Sequence, residues 1–234
     1  MRQLIRIPED NISCHHSSLT DYLDRTVCYS SEGMRQIDSL IEKYRLEAVN
    51  KTMNDHYGTV LPRINRKDQI LGGSVIYFDA EKGNMLKSEP LTDNLYQWYC
   101  FDYYTDDSVF FGEHTLSGKP VAVVLEEKAA LLGALAMPEI DWLAIGYGND
   151  LSEEMIRKLY GRQAILFADD MNCDYYDDRF GKFIKIDKSF VDKDINSYLA
   201  SQVSRRFNGS WAQGGLSVAD GCRCLTKELD MIAC

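Results

Sequence analysis

The chain has 234 residues, of which 45% are hydrophobic and 26% are charged. It is therefore long enough to bury a core, and its composition excludes an intrinsically disordered protein. The formal net charge of −10 excludes a surface that is basic overall, as the surfaces of many nucleic-acid-binding proteins are. Local basic patches remain, because Arg63 lies near Arg66 and Lys67, and Arg205 adjoins Arg206.

Two further patterns concern the compartment. The sequence has no run of about 18 apolar residues, and its first residues lack the apolar core of a signal peptide. Its seven cysteines are odd in number and scattered, which predicts free thiols. Cys222 and Cys224 are too closely spaced for a common zinc motif, even with Cys234 nearby. We expect a cytoplasmic protein with no membrane partner.

The first half of the chain predicts two short helices and a small antiparallel sheet. Ser18 and Ser31 are candidate N-caps, and apolar residues follow the second at helical spacing. The segments TVLPRI (59–64) and GGSVIYFD (72–79) are rich in β-branched and aromatic residues, which is typical of strands. The aromatic segment 95–104 predicts a core layer between the two halves of the chain.

The second half alternates apolar runs with helical patterns. VAVVL (121–125), WLAIG (142–146) and AILFAD (164–169) each predict a strand that is buried on both faces, and FIKID (183–187) predicts a further strand. The segments EEKAALLGALAM, SEEMIRKLYG and VDKDINSYLASQVS predict helices, whereas DYYDDRF, between the third and fourth apolar runs, is a weaker segment. Strands that alternate with helices predict a parallel sheet with right-handed crossovers.

These patterns predict three regions. Residues 1–118 form an N-terminal α+β region, residues 119–204 form an α/β domain, and residues 205–234 form a tail with a short helix near its end. The first region is expected to pack on the second through aromatic side chains, because so many aromatics are costly to leave in water. They are Trp98, Tyr99, Phe101, Phe110 and Phe111.

Acidic residues follow two of the predicted parallel strands. Glu126 and Glu127 follow the first strand, and Asp169 with Asp170 follows the third. Ligand sites in open parallel sheets lie outside the carboxyl ends of the strands. Carboxylate oxygens are the ligands that Mg²⁺ prefers, although acids also occupy first helical turns for electrostatic reasons alone.

The segment KPVAVVLEEKAALLGALAMPEIDWLAIGYGNDLSEEMIRKLYGRQAILFADD (119–170) resembles a Toprim-like, primase-related family carried on mobilizable elements. The upstream FFGEHTL (110–116) and the strand pair around GGSVIYFDAEKGNMLK (72–87) extend the resemblance to about residues 45–180. It implies a Toprim-like parallel sheet with flanking helices. It also implies a divalent-metal site, built from an acid after the first strand and an Asp-x-Asp pair after the third.

The sequence departs from that pattern at the acids. The position of the first acid is Leu125, which cannot bind a metal, and Asp170 directly adjoins Asp169 instead of following two residues later. Glu126 replaces the missing acid only if the strand end shifts by one residue. The sequence therefore identifies no certain cofactor, and any magnesium binding is expected to be weak.

Candidate residues are carried over from the resemblance one by one. The catalytic candidates are Glu126, Glu127 and Asp169. The metal-binding candidates are Asp169, Asp170 and Glu127. The candidates for phosphate or nucleotide binding are Lys128, Gly146 and Gly148. We expect Asp169, Asp170 and Glu127 to lie near one another. The sequence contains no P-loop, dinucleotide fingerprint or Gly-x-Ser-x-Gly motif.

Three functions remain open at this stage. The first is an accessory protein of a mobile genetic element, related to nucleic acid or nucleotides, with weak or no catalysis. The second is a non-catalytic module that binds another protein, for example one encoded by the same element. The third is a Mg²⁺-dependent phosphotransferase or nuclease, which requires the acids to converge within about 5 Å.

Overall fold

The computed structural model describes residues 4–207 apart from 8, 10, 11, 14, 15, 54, 94–102, 191 and 192. Three of the aromatic residues expected between the halves, Trp98, Tyr99 and Phe101, lie outside the described residues, as does the predicted helix of the tail. No helix of the described part is long and apolar enough to cross a membrane.

Two helices come first along the chain: α1 (Ser18–Thr26) and α2 (Ser31–Tyr44). Their N-caps are Ser17 and Ser30, one residue earlier than expected in each case. Two adjacent serines compete at both helix starts, and the earlier serine accepts a hydrogen bond from the backbone three residues on.

The first sheet is antiparallel and has the strand order β1-β2-β3-β4. Its strands are β1 (Glu47–Met53), β2 (His56–Ile64), β3 (Ile70–Phe78) and β4 (Met85–Pro90). The predicted strands lie in β2 and β3, and the segment MLKS, expected after a turn at 80–84, begins β4, whereas β1, with the sequence EAVNKTM, was not predicted. Helix α1 lies against this sheet, because Ser18 accepts a hydrogen bond from the Phe78 backbone through its hydroxyl.

The second sheet is parallel and has the order β6-β5-β7-β8. Its strands are β5 (Val121–Val124), β6 (Asp141–Ala144), β7 (Ala164–Phe167) and β8 (Lys185–Asp187). The helices of this half are α3 (Glu127–Ala136), α4 (Glu153–Lys158), α5 (Cys173–Phe180) and α6 (Ile195–Phe207). The predicted α/β class, a parallel sheet with flanking helices after a small α+β region, is confirmed.

Both faces of the parallel sheet are covered. Ala122, Trp142 and Ile165 belong to one apolar cluster, and the intervening strand residues, such as Val123 and Leu143, belong to another. The first cluster also contains residues of the N-terminal half, including α2 and β2. One side of the parallel sheet is therefore completed by the first half of the chain.

Direct bonds join the two halves as well. The hydroxyl of Tyr44 donates to the backbone oxygen of Trp142 at 3.0 Å. Phe111 and Ala144 exchange two backbone hydrogen bonds of 2.9 and 3.1 Å at the edge of β6. Phe110 and Phe111 are both fully buried, each in a different apolar cluster.

Candidate functional site

The carboxyl ends of β5, β6 and β7 surround a cavity of about 380 Å³, here called the edge cavity. The parallel order of the strands brings three separate loops to this one edge. Among the described residues that line it, none is basic. Its polar lining residues are Glu126, Tyr147, Asn149, Asp150, Asp169, Asn172 and Tyr176.

Asp169 lies at the end of β7 and borders the edge cavity, as the topology predicts. Its side chain is exposed, and its Oδ1 accepts hydrogen bonds from the backbone and side-chain nitrogens of Asn172 at 2.9 and 2.8 Å. These bonds hold one carboxylate oxygen against the loop before α5. Asp170 is also exposed but does not line the edge cavity.

Glu127 does not face the edge cavity. It is the first residue of α3, only 2% exposed, and its Oε2 accepts a hydrogen bond from the backbone of Tyr147 at 3.2 Å. Burial raises the pKa of this carboxyl group above its usual range. Glu127 thus lies beneath the loop after β6, and the expected grouping of Glu127 with Asp169 and Asp170 does not form around the edge cavity.

Glu126 is the acid that accompanies Asp169 at the edge cavity. Its side chain is exposed and forms no capping bond to α3, although it occupies the N-cap position. Its Oε2 accepts a hydrogen bond from Asn196 of α6 at 3.0 Å. Leu125, at the position of the acid expected from the resemblance, lines the same cavity with a carbon side chain.

A second cavity, of about 210 Å³, adjoins the edge cavity and is here called the α6 cavity. Leu125, Glu126 and Asp169 line both cavities. The rest of its wall includes Phe190 and the residues 193–196 that lead into α6. Lys193 is the basic residue among those that line the α6 cavity in the described part of the chain.

Lys128 faces the first half of the chain. Its ammonium group donates to the backbone oxygen of Gly83 at 2.7 Å and lies 5.8 Å from the centre of the Tyr22 ring. Burial lowers the pKa of this group. Its contacts are those of a lysine that joins two parts of a fold, and its predicted contact with phosphate stays a prediction.

The glycines after β6 form the floor of the edge cavity. Gly146 has φ of +99° and Gly148 has φ of +76°, a region in which other residues are strained. A Cβ on Gly146 would lie 3.1 Å from Oε1 of Glu127 and 3.0 Å from Nδ2 of Asn149. The first glycine therefore makes room for the buried carboxyl group, while a Cβ on Gly148 meets nothing within 4 Å.

The acids at the edge cavity do not form a group of three that is close enough to bind one metal ion together. Within the described part of the chain, one group of three His, Cys, Asp or Glu side chains has all its ligand atoms within 4.8 Å, and it lies in the N-terminal half. The expected convergence of Glu126 or Glu127 with Asp169 and Asp170 is therefore not preformed in this structure. The catalytic and metal-binding roles of these acids stay predictions.

The sequence matches one family model, described as a domain of unknown function (DUF6371), over residues 17–170. The chain belongs to the DUF6371 family. The matched range includes every site residue predicted from the sequence, from Glu126 to Asp170, and ends before α5. No curated protein matches the sequence significantly.

Solved structures of primases are similar to this DUF6371 chain at low identity. One is a structure of the bacteriophage T7 lagging-strand DNA polymerase interacting with primase domains of two gp4 subunits. The matched chain is 13% identical, with a TM-score of 0.47, and the alignment covers 76% of this chain and 88% of that one. The RNA polymerase domain of Mycobacterium tuberculosis primase DnaG in complex with double-stranded DNA is 11% identical, with a TM-score of 0.44. That alignment covers 82% of this chain and 81% of the other. The E. coli primase catalytic core is 12% identical, with a TM-score of 0.41, and the alignment covers 89% of each chain.

Several residues of the DUF6371 site carried no assignment from the sequence. Asp150 accepts a hydrogen bond from the Tyr176 hydroxyl at 3.0 Å and one from the Leu151 backbone at 2.8 Å. Burial, followed by the nearby Asp150, raises the pKa of Tyr176. Asn196 and Asp194 come from the start of α6. The glycine-rich run before Asp150 pointed to this loop, but no pattern in the sequence connects it to α5 or α6.

Proposed function

We propose that the chain is a Toprim-like accessory protein of a mobile genetic element, which binds a nucleotide or nucleic acid at the edge cavity with weak or no catalysis. The observation that carries the proposal is the position of Leu125. Its side chain lines both cavities at the place where the resemblance puts the first metal-binding acid. The edge cavity is therefore present, but with one fewer carboxylate group for a metal ion.

The electrostatics of the edge cavity define how a phosphate would bind. Its described lining contains Glu126, Asp150 and Asp169 and no basic side chain. A phosphate group is repelled by such a lining unless a cation lies between them. We infer that binding needs a divalent ion, held weakly by Glu126 and Asp169 because the ion keeps most of its water ligands.

The neighbouring groups support a nucleotide-sized ligand. The edge cavity and the α6 cavity share Leu125, Glu126 and Asp169, so they lie side by side at the same strand ends. Lys193 places one positive charge in the wall of the α6 cavity, and the exposed ring of Tyr147 lines the edge cavity. An exposed aromatic ring provides a stacking surface for a base.

The test is fluorescence anisotropy with a labelled single-stranded oligonucleotide and with a fluorescent nucleoside triphosphate, in Mg²⁺ or in EDTA. We expect binding that requires the metal and that weakens about tenfold or more in Asp169→Asn, the loss typical of a perturbed metal site. Asp178→Asn is the matched control, because Asp178 is an exposed acid of α5 outside both cavities. Binding that is equal in EDTA, or unchanged in Asp169→Asn, would show that the proposal is wrong.

Leu125→Glu directly tests whether the apolar residue at position 125 weakens metal binding. The substitution adds the missing carboxylate, so we expect a clear gain in Mg²⁺ affinity over the millimolar dissociation constant expected for the natural chain. Leu86→Glu, on the exposed face of β4, controls for added charge. Nuclease or phosphotransfer activity in the natural chain that is lost in Asp169→Asn would favour the enzyme alternative.

A protein-binding module is the second candidate, and an exposed apolar rim favours it. Met171 is 90% exposed in the loop after β7, and Tyr147 and Tyr175 are each nearly half exposed on the same side of the sheet. Tyr175 lies 3.4 Å from Asp150 through its hydroxyl. Met171→Ser would weaken the binding of a protein partner but leave nucleotide binding unchanged, which separates the two candidates.

A further inference from the structure

We infer that His16, Asp21 and Asp24 form a binding site for a divalent transition-metal ion at the start of α1, separate from the edge cavity. Nδ1 of His16 lies 3.3 Å from Oδ2 of Asp24 and 3.8 Å from Oδ1 of Asp21. All three ligand atoms lie within 4.8 Å of one another. None of the three residues lines the edge cavity or the α6 cavity.

The separations between these atoms fit a metal ion. Metal–nitrogen and metal–oxygen bonds of about 2.0–2.2 Å at a tetrahedral ion place neighbouring ligand atoms about 3.3–3.6 Å apart. The measured 3.3 and 3.8 Å are close to that range. The two carboxylate oxygens lie within 4.8 Å of each other, so an ion bound to all three side chains would draw them closer, and water takes the fourth position.

The local fold explains why the three side chains meet. Asp21 and Asp24 are three residues apart on α1, so they share one face of the helix. His16 precedes the N-cap Ser17, whose hydroxyl accepts from the Thr20 backbone and so sets the direction from which the chain enters the helix. All ligands come from nine consecutive residues, which makes the site independent of distant contacts.

The helix dipole does not explain why an acidic residue occupies position 24. An acid near a helix N-terminus is stabilised by the dipole, but this effect is confined to the first turn. Asp21 is in that turn, whereas Asp24 lies in the next one. The side chain of Asp24 is also nine-tenths buried, and burying a carboxylate is costly unless a cation accompanies it.

A carboxylate oxygen without a hydrogen-bond partner lies in a cavity that His16 borders. His16 borders a cavity of about 230 Å³ that is also lined by Glu47, the first residue of β1. Within the described part of the chain, Oε2 of Glu47 is buried and has no hydrogen-bond partner. A hydrated cation at His16 would supply water molecules that can bond to this oxygen.

The ligand set identifies the class of ion. One imidazole and two carboxylates suit Zn²⁺, Mn²⁺, Fe²⁺, Co²⁺ and Ni²⁺, because nitrogen ligands are selected by transition metals. Mg²⁺ and Ca²⁺ prefer oxygen ligands only. The two carboxylates also balance the double charge of the ion.

The experiment is a titration of the metal-free full chain with Co²⁺, followed by visible absorption and calorimetry. Co²⁺ is suitable because binding to any of the seven cysteines produces an intense thiolate-to-cobalt band, which the proposed site lacks. We expect one ion per chain without that band, and no displacement by excess Mg²⁺. His16→Gln and Asp21→Asn should each weaken binding about tenfold or more.

Both variants change exposed side chains, so the fold is expected to remain intact, which circular dichroism checks. His56→Gln, in β2, is the matched control and should bind Co²⁺ as the natural chain does. Asp169→Asn should also leave Co²⁺ binding unchanged, which separates this site from the edge cavity. Equal Co²⁺ affinity in His16→Gln, a thiolate band, or no binding at all would overturn the inference.

Discussion

The two sheets have four strands each, but they differ in how they are covered. In the parallel sheet, every residue of β5, β6 and β7 is buried, and separate apolar clusters cover its two faces. In the antiparallel sheet, β4 has no buried residue and β1 is largely exposed in its second half. The crossover helices do not cover both faces of the parallel sheet by themselves, so residues from the first half of the chain complete the cover.

This difference shows where the halves depend on each other. The cluster on one face of the parallel sheet includes Tyr44 of α2 and Leu61 of β2 beside Trp142 of β6. Residues of the antiparallel sheet therefore also help to cover one face of the parallel sheet. The site lies on the fully covered sheet because only parallel strands end together at one edge.

The largest expected effect comes from separating the sheets. A fragment of residues 119–234 loses the bonds of Trp142 to Tyr44 and of Ala144 to Phe111, and one face of its sheet becomes exposed to water. We expect it to lose most of its folding free energy, which is about 5–15 kcal/mol in globular proteins. Urea unfolding followed by circular dichroism measures this loss. A fragment as stable as the whole chain would show that the parallel sheet is an independent domain.

The next effect concerns the largest side chain in the shared layer. Trp142 is fully buried, its Nε1 donates to the Met137 backbone at 3.3 Å, and a Cβ on Gly133 would lie 2.3 Å from its ring. We expect Trp142→Ala to lower the free energy of unfolding by about 3–5 kcal/mol, because it removes a large apolar surface and leaves a cavity. Thermal and urea unfolding measure the change. Tyr104→Ala, at an exposed ring, is the control and should cost no more than about 0.5 kcal/mol.

The same contrast explains what could be predicted from the sequence. Strands such as VAVVL and AILFA were predicted because burial on both faces leaves an unbroken apolar run, and their parallel pairing is confirmed. Strand β1 was missed because its second half, NKTM, is partly polar and exposed. The segment DYYDDRF forms α5, and its acidic residues concealed the apolar face on which Tyr176 and Phe180 are buried.

The candidate site was only partly predictable. The topology placed Asp169 at the correct edge, since it depends on strand order alone. Which of two adjacent glutamates enters a cavity depends on the rotation of the first turn of α3, and the sequence contains no signal for it. The result is that Glu126 borders the cavity and Glu127 lies beneath the loop.

The smallest expected effect tests that burial through pH. Burial raises the pKa of Glu127, and although the backbone bonds and Arg63 act in the opposite direction, burial is the larger cause. A carboxyl group with a higher pKa in the folded state binds more protons there than in the unfolded state. Stability is therefore lost as the pH rises from the unfolded pKa, near 4.5, to the folded pKa.

Glu127→Gln removes this cost and keeps an oxygen that can accept from the Tyr147 backbone. We expect the variant and the natural chain to have similar stability at low pH. Above the folded pKa the variant should be more stable, by about 1.4 kcal/mol for each unit by which burial raises the pKa. Urea unfolding across a pH series measures the gap, and Glu126→Gln, at the exposed neighbour, is the control variant. A natural chain that instead gains stability over Glu127→Gln as the pH rises would mean that Arg63 and the Tyr147 amide stabilise the charged form. Glu127 would then be a buried anion beside the edge cavity.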